Sequence, residues 1–412
     1  MKIAVIGSGI SGLSAAHYLS KKYKVDLFEK ENYFGGHSYT LDIDLGYKNI
    51  AVDIGFIVFN YQTYPNLINF FKENTVEIEK SDMSFSVSVN NSNIEYCGRG
   101  IDGIFSNRLN LFNLKFLKMF YEILFFYNKS NNIKSIEENS TLGEYLKKQK
   151  LSNYFINYHL IPMVSAIWSM PPYEANQMPL NFFLKFFQNH GLFKIKNRPQ
   201  WYTVSNRSKT YVDKILKTIS GEFYKNYKIN KIKRNLKGVQ IYYGDETEFF
   251  SYDKVVLATH ADEALKLIEK PSQEEIKILS NFKYKENIAY IHFDENIMPK
   301  NRKNWCSWNS SVDKENINNN SVTYWLNLLQ NLKIDKNIFL TLNPYQNINK
   351  EKIYQKVVFT HPYYDVNALT NQKNLSTIQN KDNILFCGSY FGYGFHEDGI
   401  KSSLNMIEHL ND

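Results

Sequence analysis

The sequence predicts an α/β fold. A parallel-sheet, Rossmann-like domain that is discontinuous along the chain is joined to a mixed-sheet domain and a helical subdomain. Three observations predict it. The chain opens on an apolar run, Ile3-Ala4-Val5-Ile6, that leads through Gly7-Ser8-Gly9-Ile10-Ser11-Gly12 into a helical pattern. It closes on a second short apolar run at 384–386, a glycine-rich loop and a helical stripe of Ile400, Leu404, Ile407 and Leu410. Between them, alternating runs bounded by Gly, Asn and Asp read as strands, and two phenylalanine-rich stretches read as helices.

The first element is strand, glycine turn, helix. In a G-x-G-x-x-G turn the first glycine, Gly7, permits the tight bend. The second, Gly9, lets a diphosphate approach the backbone, and the third, Gly12, lets helix pack close on strand. The helix start, Ile10 and Ser11, offers free N–H groups and the positive end of a dipole to an anion. A second apolar run, 25–28, ends at Glu29, 22 residues after Gly7, with Lys30 beside it. An acid at that place can accept hydrogen bonds from ribose hydroxyls. These residues together point to a dinucleotide.

Gly35-Gly36 follows, with His37 next and Thr40 four residues beyond Gly36. An acid followed by such a glycine pair and a threonine resembles the FAD-binding entry of the flavin amine oxidase superfamily. That superfamily includes monoamine and polyamine oxidases, protoporphyrinogen oxidase and carotenoid desaturases. The usual arginine two residues before the pair is Tyr33 here. At the far end, Asp398-Gly399 matches the superfamily's acid–glycine pair at the start of the helix that returns to the FAD domain, with Asp398 reading as N-cap. Gly388-Ser389 stands where Gly-Glu or Gly-Asp is usual. Ile229 opens an expected β-meander, and the run 255–257 ends in Ala258-Thr259, as the superfamily's strand beside the adenosine does. The stretches 52–56, 81–87, 166–169, 189–192, 198–201 and 392–399 look like one bacterial branch of amine oxidase-like NAD/FAD-binding proteins, a branch that no single substrate defines. The superfamily's substrate-facing glycine pair corresponds to Ser205-Asn206-Arg207-Ser208. The resemblance implies FAD, and no Cys or His lies in a covalent-attachment motif, so noncovalent binding is expected.

The expected division is FAD-binding pieces at 1–60, 201–265 and 381–412, substrate-domain pieces at 61–105 and 266–380, and a helical subdomain at 106–200. With 412 residues, 43% hydrophobic and 22% charged, the chain suits a globular protein of two or three domains. The net charge of +8 is spread out, with no basic cluster of the kind nucleic acid requires. No uncharged apolar stretch reaches the roughly 18 residues of a spanning helix. The N-terminal run could pass for a signal peptide, but its residues are the glycine fingerprint itself. Cys97, Cys306 and Cys387 show neither metal spacing nor even pairing. No metal site and a reducing cytoplasm are therefore expected, with the inner face of the membrane as the alternative. The Asn-rich stretches 309–320 and 347–352 read as surface loops.

The middle of the chain carries the substrate question. Residues 84–96 read as a hairpin, and 288–293, 322–326 and 339–342 as strands. Stretches 111–127 and 180–193 are helical and crowded with phenylalanine, with Lys115, Lys118 and Lys185 among them. Two readings stay open: core packing between helices, or an apolar tunnel wall or interfacial face that admits a lipid. His190, Trp201 and Tyr324 are candidates for the substrate cavity, and His396 and Glu397 for catalysis. The expected function is that of an FAD-dependent oxidoreductase of desaturase or oxidase type, removing hydride from a fatty-acyl or isoprenoid-like substrate. Amine oxidation, flavin-dependent isomerisation of a fatty-acid double bond, and a non-catalytic flavoprotein remain open, as does the oligomeric state.

Overall fold

A computed structural model describes residues 1–133 and 140–411; residues 134–139, within the expected helical subdomain, lie outside them. The chain divides into two units. Unit 1 is made of Met1–Glu79, Thr203–Tyr284 and Pro362–Asp412, and unit 2 of Lys80–Tyr202 and Lys285–His361.

Unit 1 is built on a five-stranded parallel sheet. Its order is Phe223–Lys225, Lys24–Glu29, Lys2–Ile6, Lys254–Leu257 and Ile384–Phe386. All three chain pieces supply strands. The central strands carry unbroken apolar runs because both faces of a parallel sheet are covered. Helices Ile10–Ser20 and His396–Glu408 pack together, with Ser14 Oγ 2.7 Å from Ser403 Oγ. Small residues allow this approach: a β-carbon on Gly399 would lie 2.7 Å from Ser11 Oγ. The expected meander is present as antiparallel strands Ile229–Asn235, Gly238–Tyr243 and Glu248–Tyr252.

Unit 1 runs further along the first chain piece than the expected boundary at residue 60. Helix Pro65–Glu73 belongs to it because Glu397 caps that helix. The Glu397 carboxylate accepts from Asn66 N (3.1 Å), Asn66 Nδ2 (2.6 Å) and Leu67 N (3.0 Å). The two backbone N–H groups among them are first-turn donors that the helix itself leaves unbonded.

Unit 2 holds a seven-stranded mixed sheet. From the strand starting at Ile353 it runs through Lys283–His292, Phe339–Leu342, Asn320–Trp325, Trp308–Asp313 and Phe85–Asn90 to Glu95–Cys97. Trp308–Asp313 pairs parallel to Phe85–Asn90, and the other pairings described are antiparallel. The stretch 309–313, expected as loop, is therefore central strand. Buried Asn309 explains it. Its Oδ1 accepts from Ser86 Oγ and Cys306 N, both 2.8 Å, and its Nδ2 donates to the Thr323 carbonyl at 3.1 Å. A polar side chain whose hydrogen bonds are all made inside the protein is tolerated in a core.

The helices expected as a subdomain and the sheet expected as the substrate domain fall in this one unit. Helix Leu180–Asn189 buries Phe182, Phe183, Phe186 and Phe187. Phe183 meets Phe187 at 4.3 Å, Trp168 meets Phe186 at 4.6 Å and Phe187 meets Phe193 at 5.2 Å between ring centroids. Such aromatic pairs add to ordinary burial, and of the two readings this segment takes core packing. The other rich segment is a 3-10 turn, Arg108–Phe112, followed by helix Leu114–Asn131. All three cysteines are free and buried, and the Cys97 thiol hydrogen-bonds with Cys306, which lowers its pKa. No helix among the described residues is long and apolar enough to cross a membrane.

Candidate functional site: a dinucleotide cradle in unit 1

Gly7 turns the chain at φ +96°, where its N–H bonds to the Phe28 carbonyl (2.9 Å). A β-carbon there would meet the Ala258 carbonyl oxygen at 2.7 Å, and one on Gly12 would meet the Gly7 carbonyl oxygen at 1.8 Å. Those two positions are closed by protein. Gly9 differs: an added β-carbon finds no atom within 4 Å. It precedes helix Ile10–Ser20, whose first helical bond is Leu13 N to the Gly9 carbonyl, 2.9 Å. The N–H groups of Ile10, Ser11 and Gly12 are thus the orphan donors of a helix start, a natural anion site.

Glu29, buried at the strand end, braces the turn. It accepts from Ser8 N (3.0 Å), from Ser8 Oγ and from Glu31 N (3.0 Å). A carboxylate has about four acceptor positions, so one remains for a ribose hydroxyl. Gly35 N in turn bonds to Ser8 O and Ser8 Oγ, each at 3.1 Å. Gly36, at φ +57°, comes so close to the turn that its β-carbon would lie 3.0 Å from Gly9 Cα. The second glycine pair is therefore packed on the first. His37 is the next residue, and its carbonyl accepts from Phe56 N at 2.7 Å. Lys30 pairs with Glu263 at 2.7 Å.

The remaining pieces converge on the same sheet. Ala258 N bonds to the Ile6 carbonyl (2.8 Å), and Thr259 Oγ1 donates to the His260 carbonyl (3.1 Å). Ile229 is buried at the start of the meander. Gly388 N bonds to Ser402 Oγ (2.9 Å), and Ser389 opens a 3-10 turn, Ser389–Phe391.

Helix His396–Glu408 has Phe395, not Asp398, as its N-cap residue. Asp398 lies one turn inside and reaches back to accept from Phe395 N at 3.0 Å. That is the inner half of a capping box, which a sequence pattern easily shifts by a turn. Burial pushes the Asp398 carboxyl up to about 6. His396 stacks on Phe56 with ring centroids 3.7 Å apart, and its Nε2 lies 3.0 Å from Ser38 Oγ. Burial lowers its pKa to about 3, so the ring is neutral near pH 7. Glu397, the other candidate for catalysis, is engaged with the capped helix described above.

In unit 2 the contacts bring two of the three substrate candidates together. His190 stacks on Phe186 at 3.8 Å, has its Nδ1 2.9 Å from the Phe186 carbonyl, and faces Trp201 at 6.5 Å between near-parallel rings. Burial lowers the His190 pKa to about 4. Tyr324 has another partner, lying edge-on to Trp308 at 4.7 Å.

A cavity of about 290 Å³ in this unit is lined by Ser165, Glu174, Lys285, Asn287 and Asn320 among others, and no phenylalanine borders it. Glu174 is buried, pairs with Lys285 and accepts from Tyr173 Oη at 2.7 Å. The expectation of a phenylalanine-walled tunnel does not describe this cavity, because the rings of 180–193 are used in packing one another. Sequence reasoning missed Glu174 and Lys285. One available signal was strand alternation, which puts Lys285 and Asn287 on the same face of strand Lys283–His292.

Comparison with known proteins agrees with the geometry of unit 1. Residues 5–73 match the model of an NAD(P)-binding Rossmann-like domain. Prenylcysteine oxidase 1 of Homo sapiens is 27% identical over 195 residues, covering 40% of this chain and 37% of that protein. A 1-hydroxycarotenoid 3,4-desaturase of Flavobacterium sp. (strain P99-3) is 44% identical over 69 residues, 16% of this chain and 13% of that one. The chain thus spans well under half the length of these relatives. Among solved structures, the CLA-producing fatty acid isomerase from P. acnes superposes with TM-score 0.69 at 13% identity, over 99% of this chain and 98% of that one. A putrescine oxidase superposes with TM-score 0.70 at 12% identity, over 100% and 98%.

A Rossmann unit assembled from three chain pieces and interleaved in sequence with a mixed-sheet unit is thus a fold that this chain shares with the fatty acid isomerase and the putrescine oxidase. The glycine cradle of that fold suits the diphosphate of a dinucleotide.

Proposed function

We propose that this protein is an FAD-dependent oxidoreductase that holds FAD noncovalently and removes hydride from a hydrophobic, fatty-acyl or isoprenoid-like substrate. The carrying observation is Gly9: its α-position opens onto free space at a helix N-terminus while Gly7 and Gly12 beside it are closed. A diphosphate fits such a place and a side chain would obstruct it. Bound there, FAD would supply the hydride acceptor.

The chain's own residues do the rest. The N–H groups of residues 10–12 hold the diphosphate, and Glu29 holds a ribose while bracing Ser8. Lys30, Gly35, Gly36, His37, Ile229, Ala258, Thr259, Gly388, Ser389, Asp398 and Gly399 complete the proposed cofactor surround. His396, neutral and pinned between Phe56 and Ser38, orients the start of the last helix rather than delivering a proton. The substrate class is supported by the names of two relatives, one an oxidase of prenylcysteine and one a desaturase of a hydroxycarotenoid. A second reading, a flavin-dependent fatty-acid double-bond isomerase, uses the same cradle and rests on the likeness to the P. acnes enzyme.

Anaerobic mixing of the holoenzyme with long-chain fatty acids, prenylated thioethers and putrescine tests the proposal. Bleaching of the flavin by an apolar substrate is the expected result. A double bond that moves without net bleaching would favour the isomerase, and bleaching by putrescine alone would overturn the substrate class.

A further inference from the structure

Exposed large hydrophobic side chains are concentrated in one short part of unit 2. Among the described residues, 8 of the 21 such side chains fall between residues 101 and 125. Phe112 is 85% exposed and Leu114 81%, with Ile101, Leu109, Tyr121 and Phe125 also exposed. Scattered singles are normal on any protein, whereas a cluster marks an interaction surface.

The local fold explains why these residues point outward. Asn107 caps the start of the 3-10 turn and Asn113 the start of the helix that follows. The Asn107 side chain accepts from Leu109 N at 3.1 Å, and that of Asn113 accepts from Lys115 N and Phe116 N at 3.1 and 3.2 Å. Asn110, midway between them, is buried. With Asn110 buried and Asn107 and Asn113 used as caps, Leu109, Phe112 and Leu114 are left exposed. On the following helix Phe116, Met119, Ile123 and Phe126 are buried. Leu114, Lys118, Tyr121 and Phe125, spaced by four, three and four, form the opposite stripe.

The charge around this face is net positive, although Asp102 is exposed and Lys118 lies 3.9 Å from Glu122. Residues 101–131 contain Arg108, Lys115, Lys118 and Lys129 against two acids. One of the acids, Glu122, is buried under Ser152, whose N–H it accepts at 3.0 Å. The other, Asp102, is bridged by Arg108 at 3.1 Å. An apolar stripe rimmed by basic side chains is the composition of a helix that lies in the interface of an anionic bilayer. No described helix is long and apolar enough to cross one, so the contact is with the surface.

We propose that the turn Arg108–Phe112 and the outer face of helix Leu114–Asn131 dock unit 2 onto an anionic membrane surface. Phe112 and Leu114 enter the acyl boundary while Lys115 and Lys118 meet the headgroups. This goes beyond the flavin reading and stands without it.

Flotation of the full-length holoenzyme with vesicles tests it. Vesicles of phosphatidylcholine with phosphatidylglycerol should carry the protein upward, vesicles of phosphatidylcholine alone should carry far less, and high salt should release it. The pair Lys115→Ala and Lys118→Ala should weaken binding about five-fold for each lysine removed. The pair Phe112→Ser and Leu114→Ser should weaken it at least about ten-fold. All four side chains are exposed, so flavin content should not change, and the melting temperature should fall only slightly through the lost Lys118–Glu122 pair. Failure of the wild type to float with either vesicle would overturn the proposal. So would light scattering that shows a dimer dissolved by Phe112→Ser and Leu114→Ser, which would make the face a contact between two copies of the chain.

Discussion

Glu29 has two tasks, and substitutions can separate them. Glu29→Gln keeps a carbonyl acceptor for Ser8 but lacks the charge, so FAD affinity should fall about ten-fold or more with little loss of stability. Glu29→Ala also strands the N–H groups of Ser8 and Glu31, so unfolding free energy should fall by about 1–3 kcal/mol as well. Flavin-fluorescence titration and thermal melts of the two variants read both effects. Equal affinities in wild type and Glu29→Gln would show that the acid only braces the turn.

His396 gives a pH signature. Its folded pKa of about 3 lies below the ordinary 6.5 because burial disfavours the charged ring. The unfolded chain therefore binds a proton first as pH falls. The stability is present above 6.5 and is lost as pH drops toward 3. Buried Asp53 and Asp398, each raised to about 6 from 3.8, act in the opposite sense. Their contribution is present below 3.8 and lost as pH rises through 6, so the effect of His396 is read by difference. Melting temperatures of wild type and His396→Gln should converge toward the variant's favour as pH falls below 6.5. A constant gap across that range would contradict the assignment.

At the scale of elements, helix Pro65–Glu73 ends in a Schellman turn with the wrong residue at its key position. Val76 N bonds to Phe71 O (2.8 Å) and Thr75 N to Lys72 O (3.1 Å), which puts Thr75 at φ +52°. A β-branched residue is strained there and glycine is not. Thr75→Gly should raise the unfolding free energy by about 1 kcal/mol, as measured in denaturant melts.

The legible elements were those whose cause is local. The glycine turn, the parallel strands on either side of it, the meander and the final helix each follow from apolar runs and turn residues in a short window. The missed elements depend on distant partners. Nothing near Asn309 in sequence shows that Ser86 and Thr323 will help satisfy its amide. Helical spacing says that the phenylalanines of 180–193 share faces, but not that Trp168 and Phe126 will pack against them. The same limit applies to the site. The cradle residues are clustered in sequence, whereas the role of Glu397 depends on a helix over 300 positions away.

At the scale of the molecule, the chain leaves unit 1 and re-enters it twice, so the parallel sheet closes only when all three pieces are in place. Strands from all three pieces lie in that one sheet, and residues from all three would form the proposed cofactor surround. The cofactor should therefore stabilise the unit as a whole, and removing FAD should lower the melting temperature of the protein rather than loosen one loop.

The central claim is that this cradle holds FAD noncovalently, and the visible spectrum of the purified protein tests it most directly, read before and after acid precipitation. The expected result is an oxidised-flavin band that moves entirely into the supernatant as about one FAD per chain, and that is absent from a folded Gly9→Val variant. A wild-type protein that is colourless and takes up no FAD when reconstituted would contradict the account, as would a Gly9→Val variant with the wild-type spectrum.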